Sequence, residues 1–253
     1  MRIGIGIMLA VGLCLGAAPL RAAPLRVAVE GDGAYAPFSF FAADKSLTGF
    51  DIEIAQALCR HIADGCEIVP VDFDVMVEGL AQGRFDASVA SMGWTEERAT
   101  RILFGPIYYR SHTVFVGRAG AFADTSPEAL KHAHLASAQA TIQQKYLADT
   151  YPQSTVLEGK DIDDAYAKLV AGTVDLVLAD SIVQMAFLQS DRGVDYAYVG
   201  EPLKAEVLNS AAYVTFRKGL EARSAEFAEA LKHIRLDGTY DRINRKFVPF
   251  NIY

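Results

Sequence analysis

Leu80-Ala-Gln-Gly83-Arg-Phe-Asp86 and Leu169-Val-Ala-Gly172-Thr-Val-Asp175 repeat one pattern, Leu-x-x-Gly-x-x-Asp. Each copy runs on through an apolar stretch to a polar residue, Ser91 in the first and Asp180 in the second. A Gly at that place reads as the end of a helix, because it adopts the left-handed conformation that a helix C-terminus favours. The apolar residues that follow, Phe85 to Val89 and Val174 to Leu178, read as short buried strands. Ligands on open α/β sheets bind at the carboxyl ends of parallel strands. If both are parallel strands, Ser91 and Asp180 stand at the mouths of two separate sheets, and two lobes face one cleft.

The flanking sequence extends this alternation. Before the first copy come a strand at Leu25 to Val29, a loop with Asp32 and Tyr35, a helix from Asp51 to Ile62 with Asp51 as its N-cap, a strand at Ile68 to Val71, and a helix at Val75 to Ala81 capped by Asp74. Around the second copy lie helix Pro127 to Lys131, strand His134 to Ala138, helix Ile142 to Asp149, strand Ser154 to Leu157 and helix Ile162 to Val170. Alternating elements of this kind imply βαβ units and parallel sheets. Apolar β-branched stretches at Thr113 to Val116 and Ala211 to Phe216 stand on either side of the second series and are expected to be two connecting strands. A helix from Ser224 to Leu236 and a closing segment then return to the first lobe. A hinge of that kind lets lobes close over a ligand.

Residues 1–22 read as an export signal. Arg2 precedes an apolar run from Ile3 to Ala18, small residues allow cleavage after Ala22, and no stop-transfer charges follow. Cys14 leaves with this segment. The remaining chain of about 230 residues is long enough for two modest domains. The full chain of 253 residues has a formal net charge of −7 without any basic run, which excludes nucleic acid as an expected partner. Two cysteines remain, Cys59 and Cys66, and an even number of thiols in an exported protein is expected to pair.

Three motifs that suggest cofactors or metals have plainer readings. Gly31-x-Gly33-x-x-Ala36 imitates a dinucleotide fingerprint, but Pro37 falls where the helix should begin and disfavours helix at Ala36. Asp72-x-Asp74 has no third ligand nearby in sequence. His132 and His134 point different ways on a helix. No cofactor or metal is expected, and no Ser-His-Asp or Cys-His spacing is recognisable.

The segment Ala90-Ser-Met-Gly93-Trp-Thr95-Glu-Glu-Arg98 is more specific. A strand ends, a Gly-containing loop exposes N–H groups, and Thr95 caps a helix that carries Arg98 at its third position. From there an arginine reaches back across the loop to hold a carboxylate in a two-pronged pair, assisted by the helix N-terminus. An arginine paired with Glu96 or Glu97 on a solvated turn is the competing reading.

These residues, together with Asp32-Gly-Ala-Tyr35-Ala-Pro-Phe38, Gly49-Phe-Asp-Ile52, Cys59 to Cys66, Asp175 to Asp180 and Asp237-Gly-Thr-Tyr240, resemble family 3 periplasmic solute-binding proteins. Within that family the likeness is to receptors for histidine and for lysine, arginine and ornithine that feed amino-acid ABC importers. The resemblance covers the whole mature chain. It implies the type II periplasmic-binding-protein fold, an α/β architecture of two sheet-and-helix lobes joined by a two-strand hinge. Lobe 1 would comprise residues 23–112 and 213–253, and lobe 2 residues 113–212, with hinge strands near 113–116 and 211–216.

The resemblance also implies residue roles. Arg98 would hold the ligand α-carboxylate with the N–H groups of Gly93, Thr141 and Ile142. Asp180 would accept from the α-ammonium, with an oxygen from Ser91. Tyr35 and Phe73 would sandwich the ligand side chain, and Asp32 would meet a cationic end. A buried zwitterion needs partners for both charges, and flat rings complement aliphatic stems and guanidinium faces.

Four positions depart from the pattern. Gly93 and Ala90 stand for Ser, Ile142 for Thr and Ala140 for Gly, and space beside Gly93 makes an opine with a substituted α-nitrogen conceivable. The expected protein is a monomeric, periplasmic, non-enzymatic amino-acid receptor whose partner is a membrane permease, or alternatively a sensor. The competing class is an exported cyclohexadienyl dehydratase on the same scaffold. That branch is expected to carry a Glu where Val183 stands and an Asn near Gln143, and Val cannot supply the acid that dehydration needs.

Overall fold

The computed structural model describes residues 23–208 and 211–253, so the export signal read in residues 1–22 lies outside the described residues. In chain order, β1 (Leu25–Glu30) is followed by β2 (Ala34–Tyr35), β3 (Ser39–Phe41), β4 (Leu47–Thr48), α1 (Phe50–Cys59), β5 (Cys66–Val71), α2 (Met76–Ala81), β6 (Ala87–Gly93), α3 (Glu96–Arg101) and β7 (Leu103–Arg110). A second series runs β8 (Thr113–Arg118), β9 (His134–Ala138), α4 (Ile142–Thr150), β10 (Thr155–Gly159), α5 (Ile162–Val170), β11 (Leu176–Asp180), α6 (Ser181–Leu188) and β12 (Tyr196–Leu203). The chain ends with β13 (Ala211–Phe216), α7 (Glu221–Leu236) and α8 (Thr239–Phe247).

Two five-stranded sheets follow one plan, with orders β5-β1-β6-β13-β7 and β10-β9-β11-β8-β12. In each, the first three strands are parallel and the last two are added antiparallel. The helices bury apolar faces on them, as α1 does through Phe50, Ile52, Ile54, Ala55 and Leu58. The architecture is that of type II periplasmic binding proteins.

The repeated motif has the same structure twice. Gly83 and Gly172 hold φ of 70° and 72°, just beyond the C-caps of α2 and α5. Gly83 N donates to Leu80 O and Arg84 N to Gly79 O; Gly172 N donates to Leu169 O and Thr173 N to Lys168 O. These are the paired bonds of a Schellman ending, which only a left-handed residue after the cap completes. The Asp of each copy then fastens the next strand to its parallel neighbour. Asp86 N donates to Arg26 O while Arg26 N donates to the Asp86 carboxylate, and Asp175 N and the Asp175 carboxylate do the same with His134. This clamp explains why β6 and β11 begin two residues later than expected from hydrophobicity: Phe85 and Val174 precede the clamping Asp residues. The motif is scaffold, and it delivers Ser91 and Asp180 to the ends of corresponding strands.

Several expected features differ. Asp51 does not cap α1; Gly49 holds that position, and the Asp51 carboxylate is fully buried, accepting from Tyr108 Oη and Ser91 Oγ at 2.7 Å each. The same helix stops at Cys59, three residues short of Ile62. Asp74 makes no cap bond either, because Phe73–Val75 form a 3₁₀ turn ahead of α2. Residues 127–131 form hydrogen-bonded turns in place of a helix. Five residues do not repay helix nucleation, and left-handed His132, at φ 68°, ends the run. The stretches expected as connecting strands are β8 and β13, each interior to a sheet, because both faces are apolar and become buried. The chain crosses between sheets at Ser111–His112 and again between β12 and β13, and a division at residue 213 would fall inside β13.

Cys59 and Cys66 form a disulfide joining the end of α1 to the start of β5. Replacing both by alanine is expected to lower stability by about 2 to 3 kcal/mol, since the bridge removes loop-closure entropy from the unfolded chain. Urea unfolding of the variant and of the oxidised wild type checks this. Among the described residues no helix is long and apolar enough to cross a membrane.

Candidate functional site

A cleft with about 990 Å³ of empty space, counted out to its mouth, opens between the two sheets. All nine residues expected to touch a ligand line it: Asp32, Tyr35, Phe73, Ser91, Gly93, Arg98, Thr141, Ile142 and Asp180.

Arg98 is held from the backbone upward. Thr95 caps α3 by accepting from Arg98 N at 3.1 Å, so the side chain leaves the first turn toward the cleft. Its Nη1 donates to Gly93 O and its Nη2 to Ala140 O, both at 2.7 Å. Both acceptors are neutral carbonyls, and among the described residues no carboxylate pairs with the guanidinium, Glu97 acting on it only without contact. Burial pushes the guanidinium down to about 10, which leaves it charged at neutral pH. A buried charge without an opposite partner is costly, and a ligand carboxylate would relieve that cost. Phe73 lies beside it, with Arg98 Cζ 5.7 Å from the ring centroid. The alternative pairing with Glu96 or Glu97 does not form.

The second sheet supplies the facing wall. Thr141 caps α4, accepting from Gln144 N at 3.1 Å, so the N-terminus of that helix opens on the cleft near Arg98. Ala140, which precedes this turn, is left-handed at φ 59°, and its carbonyl meets Arg98. At the end of β11, Asp180 accepts from Ile182 N at 2.8 Å and caps α6. Its remaining capacity faces the cleft, and burial raises it to about 6, against hydrogen bonds from Ser111 and the Ile182 and Val183 backbone. Gln139 Nε2 reaches Asp74 Oδ2 at 3.3 Å. With the Arg98–Ala140 bond, this contact holds the two sheets closed on each other.

Ser91 is anchored from behind. Its φ is 52°, its N–H donates to Tyr108 Oη at 2.7 Å, and its Oγ donates to Asp51. Tyr108 in turn donates to Asp51, while Tyr240 Oη, from the Asp237-Gly-Thr-Tyr240 segment, donates to Tyr108 O at 2.7 Å. With its proton committed to Asp51, the Ser91 oxygen can only accept from a ligand, which suits an ammonium. Asp51 itself is raised to about 7, burial outweighing the Tyr108 and Ser91 hydrogen bonds.

The space expected beside Gly93 is partly filled. A Cβ there would stand 3.1 Å from Ile142 Cδ1, so one departure from the family pattern packs against another. Val183 is buried and does not line the cleft, and Gln143 donates to Thr113 Oγ1 at 3.3 Å. Asp32 accepts from Ala34 N at 2.8 Å, and partial burial with Asp161 and Asp72 nearby raises its carboxyl.

The cleft also contains residues that sequence reasoning passed over, notably Glu30, Tyr109, Ser111 and Asp161. Glu30 lay one residue beyond the strand as first bounded, beside the glycines that imitate a dinucleotide loop. A carboxylate following the apolar run Val27 to Val29 at the end of a parallel strand was the available signal.

Residues 25–250 match the bacterial extracellular solute-binding proteins, family 3. The chain is 30% identical over 253 aligned positions to the lysine/arginine/ornithine-binding periplasmic protein of Escherichia coli K12, covering 98% of this chain and 97% of that one. It is 32% identical over 234 positions to the L-arginine-binding protein of Pseudomonas aeruginosa, covering 91% and 90%. An ancestral arginine-binding protein solved with arginine superposes with a TM-score of 0.81 at 26% identity, over 90% of this chain and 99% of that one. A match spanning both sheets and the whole cleft shows that this chain belongs to the bacterial extracellular solute-binding proteins, family 3.

Proposed function

We propose that this protein is the periplasmic substrate-binding component of an ABC importer and that it closes around the zwitterion of a polar or cationic α-amino acid. The observation that carries this is Arg98, buried in the cleft with only neutral carbonyl partners, opposite the half-buried carboxylate of Asp180. Arg98 and the α4 N-terminus take the α-carboxylate, and Asp180 with the Ser91 oxygen takes the ammonium. Tyr35 and Phe73 flank the side chain, and Asp32 meets its cationic end. The two sheets act as lobes moving about the crossings at Ser111–His112 and between β12 and β13. The protein works as a monomer, exported with cleavage near Ala22, and its closed form docks on a membrane permease.

The ligand relatives named above support arginine, lysine and ornithine as first candidates. An N-substituted ligand such as an opine would have to displace the Ile142 side chain beside Gly93. A thermal-shift screen of the mature protein against amino acids and opines tests the proposal, because a ligand at 100 times its dissociation constant adds about 2.7 kcal/mol. Failure of every α-amino acid to stabilise the protein would sink it. Prephenate and arogenate in the same screen, with product detection, are expected to give no turnover.

Asp32→Asn is expected to weaken cationic ligands by about 1 to 2 kcal/mol, less than for a fully buried pair because Asp32 is partly exposed. Neutral amino acids should change little. Calorimetry with lysine and glutamine checks this, and equal losses for both would make Asp32 a structural residue.

A further inference from the structure

Tyr109 stands near the end of β7 and is only 2% exposed, its ring stacked on Phe38 at 4.7 Å between centroids and set edge-on to Phe50 at 5.9 Å. Those contacts fix the ring, yet its hydroxyl makes no hydrogen bond among the described residues. No fully occluded side-chain oxygen among them lacks a partner, so Tyr109 Oη must touch open space. Tyr109 borders both the cleft and a groove against α7, but Asp180 and Tyr35, which after burial act most on its hydroxyl, line the cleft and not that groove. The free oxygen therefore belongs to the cleft, at its Asp180 end. Burial and the Asp180 charge push the hydroxyl well above the usual tyrosine range, so it keeps its proton and accepts through its lone pairs.

Sheet register ties this residue to Gly93. Ala212 of β13 pairs with Gly93 of β6 on one side and with Tyr109 of β7 on the other, and all three line the cleft. Residues paired directly across strands present their side chains to one face of the sheet. Gly93 and Ala212 bring no polar side chain to that row, so Tyr109 is its one side chain able to hydrogen-bond. An ammonium has three N–H donors. Asp180 and the Ser91 oxygen take two of them under the proposed function, and a third left buried without an acceptor would be costly. We propose that Tyr109 is a specificity-determining residue whose hydroxyl accepts the third N–H of the ligand's α-ammonium, so that the cleft selects a primary α-amine over an N-substituted one. This inference rests on the proposed amino-acid function and adds a residue to it.

The test compares arginine with Nα-methylarginine, which keeps the charge and the side chain and has one N–H fewer on its α-nitrogen. Tyr109→Phe removes one unbonded hydroxyl and keeps the ring on Phe38, so the fold is unaffected. By calorimetry this variant is expected to bind arginine about 10-fold more weakly than wild type, through loss of one hydrogen bond to a charged group. Nα-methylarginine should change by less than about 3-fold, because its methyl group can take the place beside residue 109. An arginine loss below about 3-fold overturns the proposal, and so do equal losses for the two ligands. Should the methyl derivative bind too weakly to titrate, the arginine affinity alone decides. Where another α-amino acid binds in place of arginine, it and its N-methyl derivative are the pair compared. A wild type that binds an α-amino acid equally well with Tyr109→Phe refutes this residue's role alone. A wild type that binds no α-amino acid overturns the proposed function and this inference together.

Discussion

Arg98→Ala is expected to weaken amino-acid binding by about 2 to 5 kcal/mol, the cost of truncating one partner of a buried, hydrogen-bonded charge pair. The guanidinium is the cleft's principal buried cation, and its two neutral acceptors stand on opposite sides of the cleft, Gly93 O at the end of β6 and Ala140 O in the turn after β9. Alanine therefore removes the carboxylate's partner and one tie of the closed state. Arg98→Lys should recover only part of the loss, because an ammonium keeps the charge without the planar fork. Calorimetry on the mature protein measures both variants. Near-normal affinity in Arg98→Ala would remove Arg98 from the ligand grip. Trp94, the chain's one tryptophan, is half-exposed next to Gly93 and supplies an independent fluorescence signal of binding.

Asp180→Asn should cost a similar amount, about 2 to 5 kcal/mol, by leaving the ligand ammonium without its counter-charge. Asparagine retains an oxygen that can accept from Ile182 N, so the α6 cap and the fold should survive, which thermal unfolding checks. The pH dependence separates an electrostatic role from a packing role. Free Asp180 is raised to about 6, and an ammonium favours its ionised form. Wild-type affinity is thus full above that value and weakens as pH falls through it, by up to about tenfold per pH unit. In the variant this acid limb should flatten. A limb that persists unchanged would assign it to another group, such as Asp51.

The two large effects come from opposite ends of one repeated unit. Each Leu-x-x-Gly-x-x-Asp copy ends a helix and clamps a strand, and neither strand end alone meets both charges of a zwitterion. Under the proposed function, binding and closure are coupled: the ligand's carboxylate and ammonium are both satisfied only when the sheets approach.

Legibility in the sequence followed the range of the interaction responsible. The helix endings at Gly83 and Gly172, the cap of Thr95, and the Cys59–Cys66 pairing depend on bonds a few residues long, so local pattern was enough. The same local logic misled at Asp51 and Asp74. An Asp near a helix start reads as a cap, yet Asp51 is claimed by Tyr108 and Ser91, 57 and 40 residues away. β8 and β13 were recognisable as apolar strands but not as sheet interiors, because strand order depends on pairings across the whole chain.

By itself the sequence determined an α/β chain with twin sheets, and its resemblance to the family pointed to nine of the residues that line the cleft. Periodicity, caps and left-handed glycines are short-range constraints carried by neighbouring residues. Tertiary structure alone decided that Arg98 spans the cleft to Ala140, that Ser91 commits its proton to Asp51, and that Ile142 fills the space beside Gly93. It also left Glu30 buried and unpartnered among other acids. Such facts arise from residues far apart in the chain, whose charges acquire meaning only when burial removes the water that would otherwise screen them.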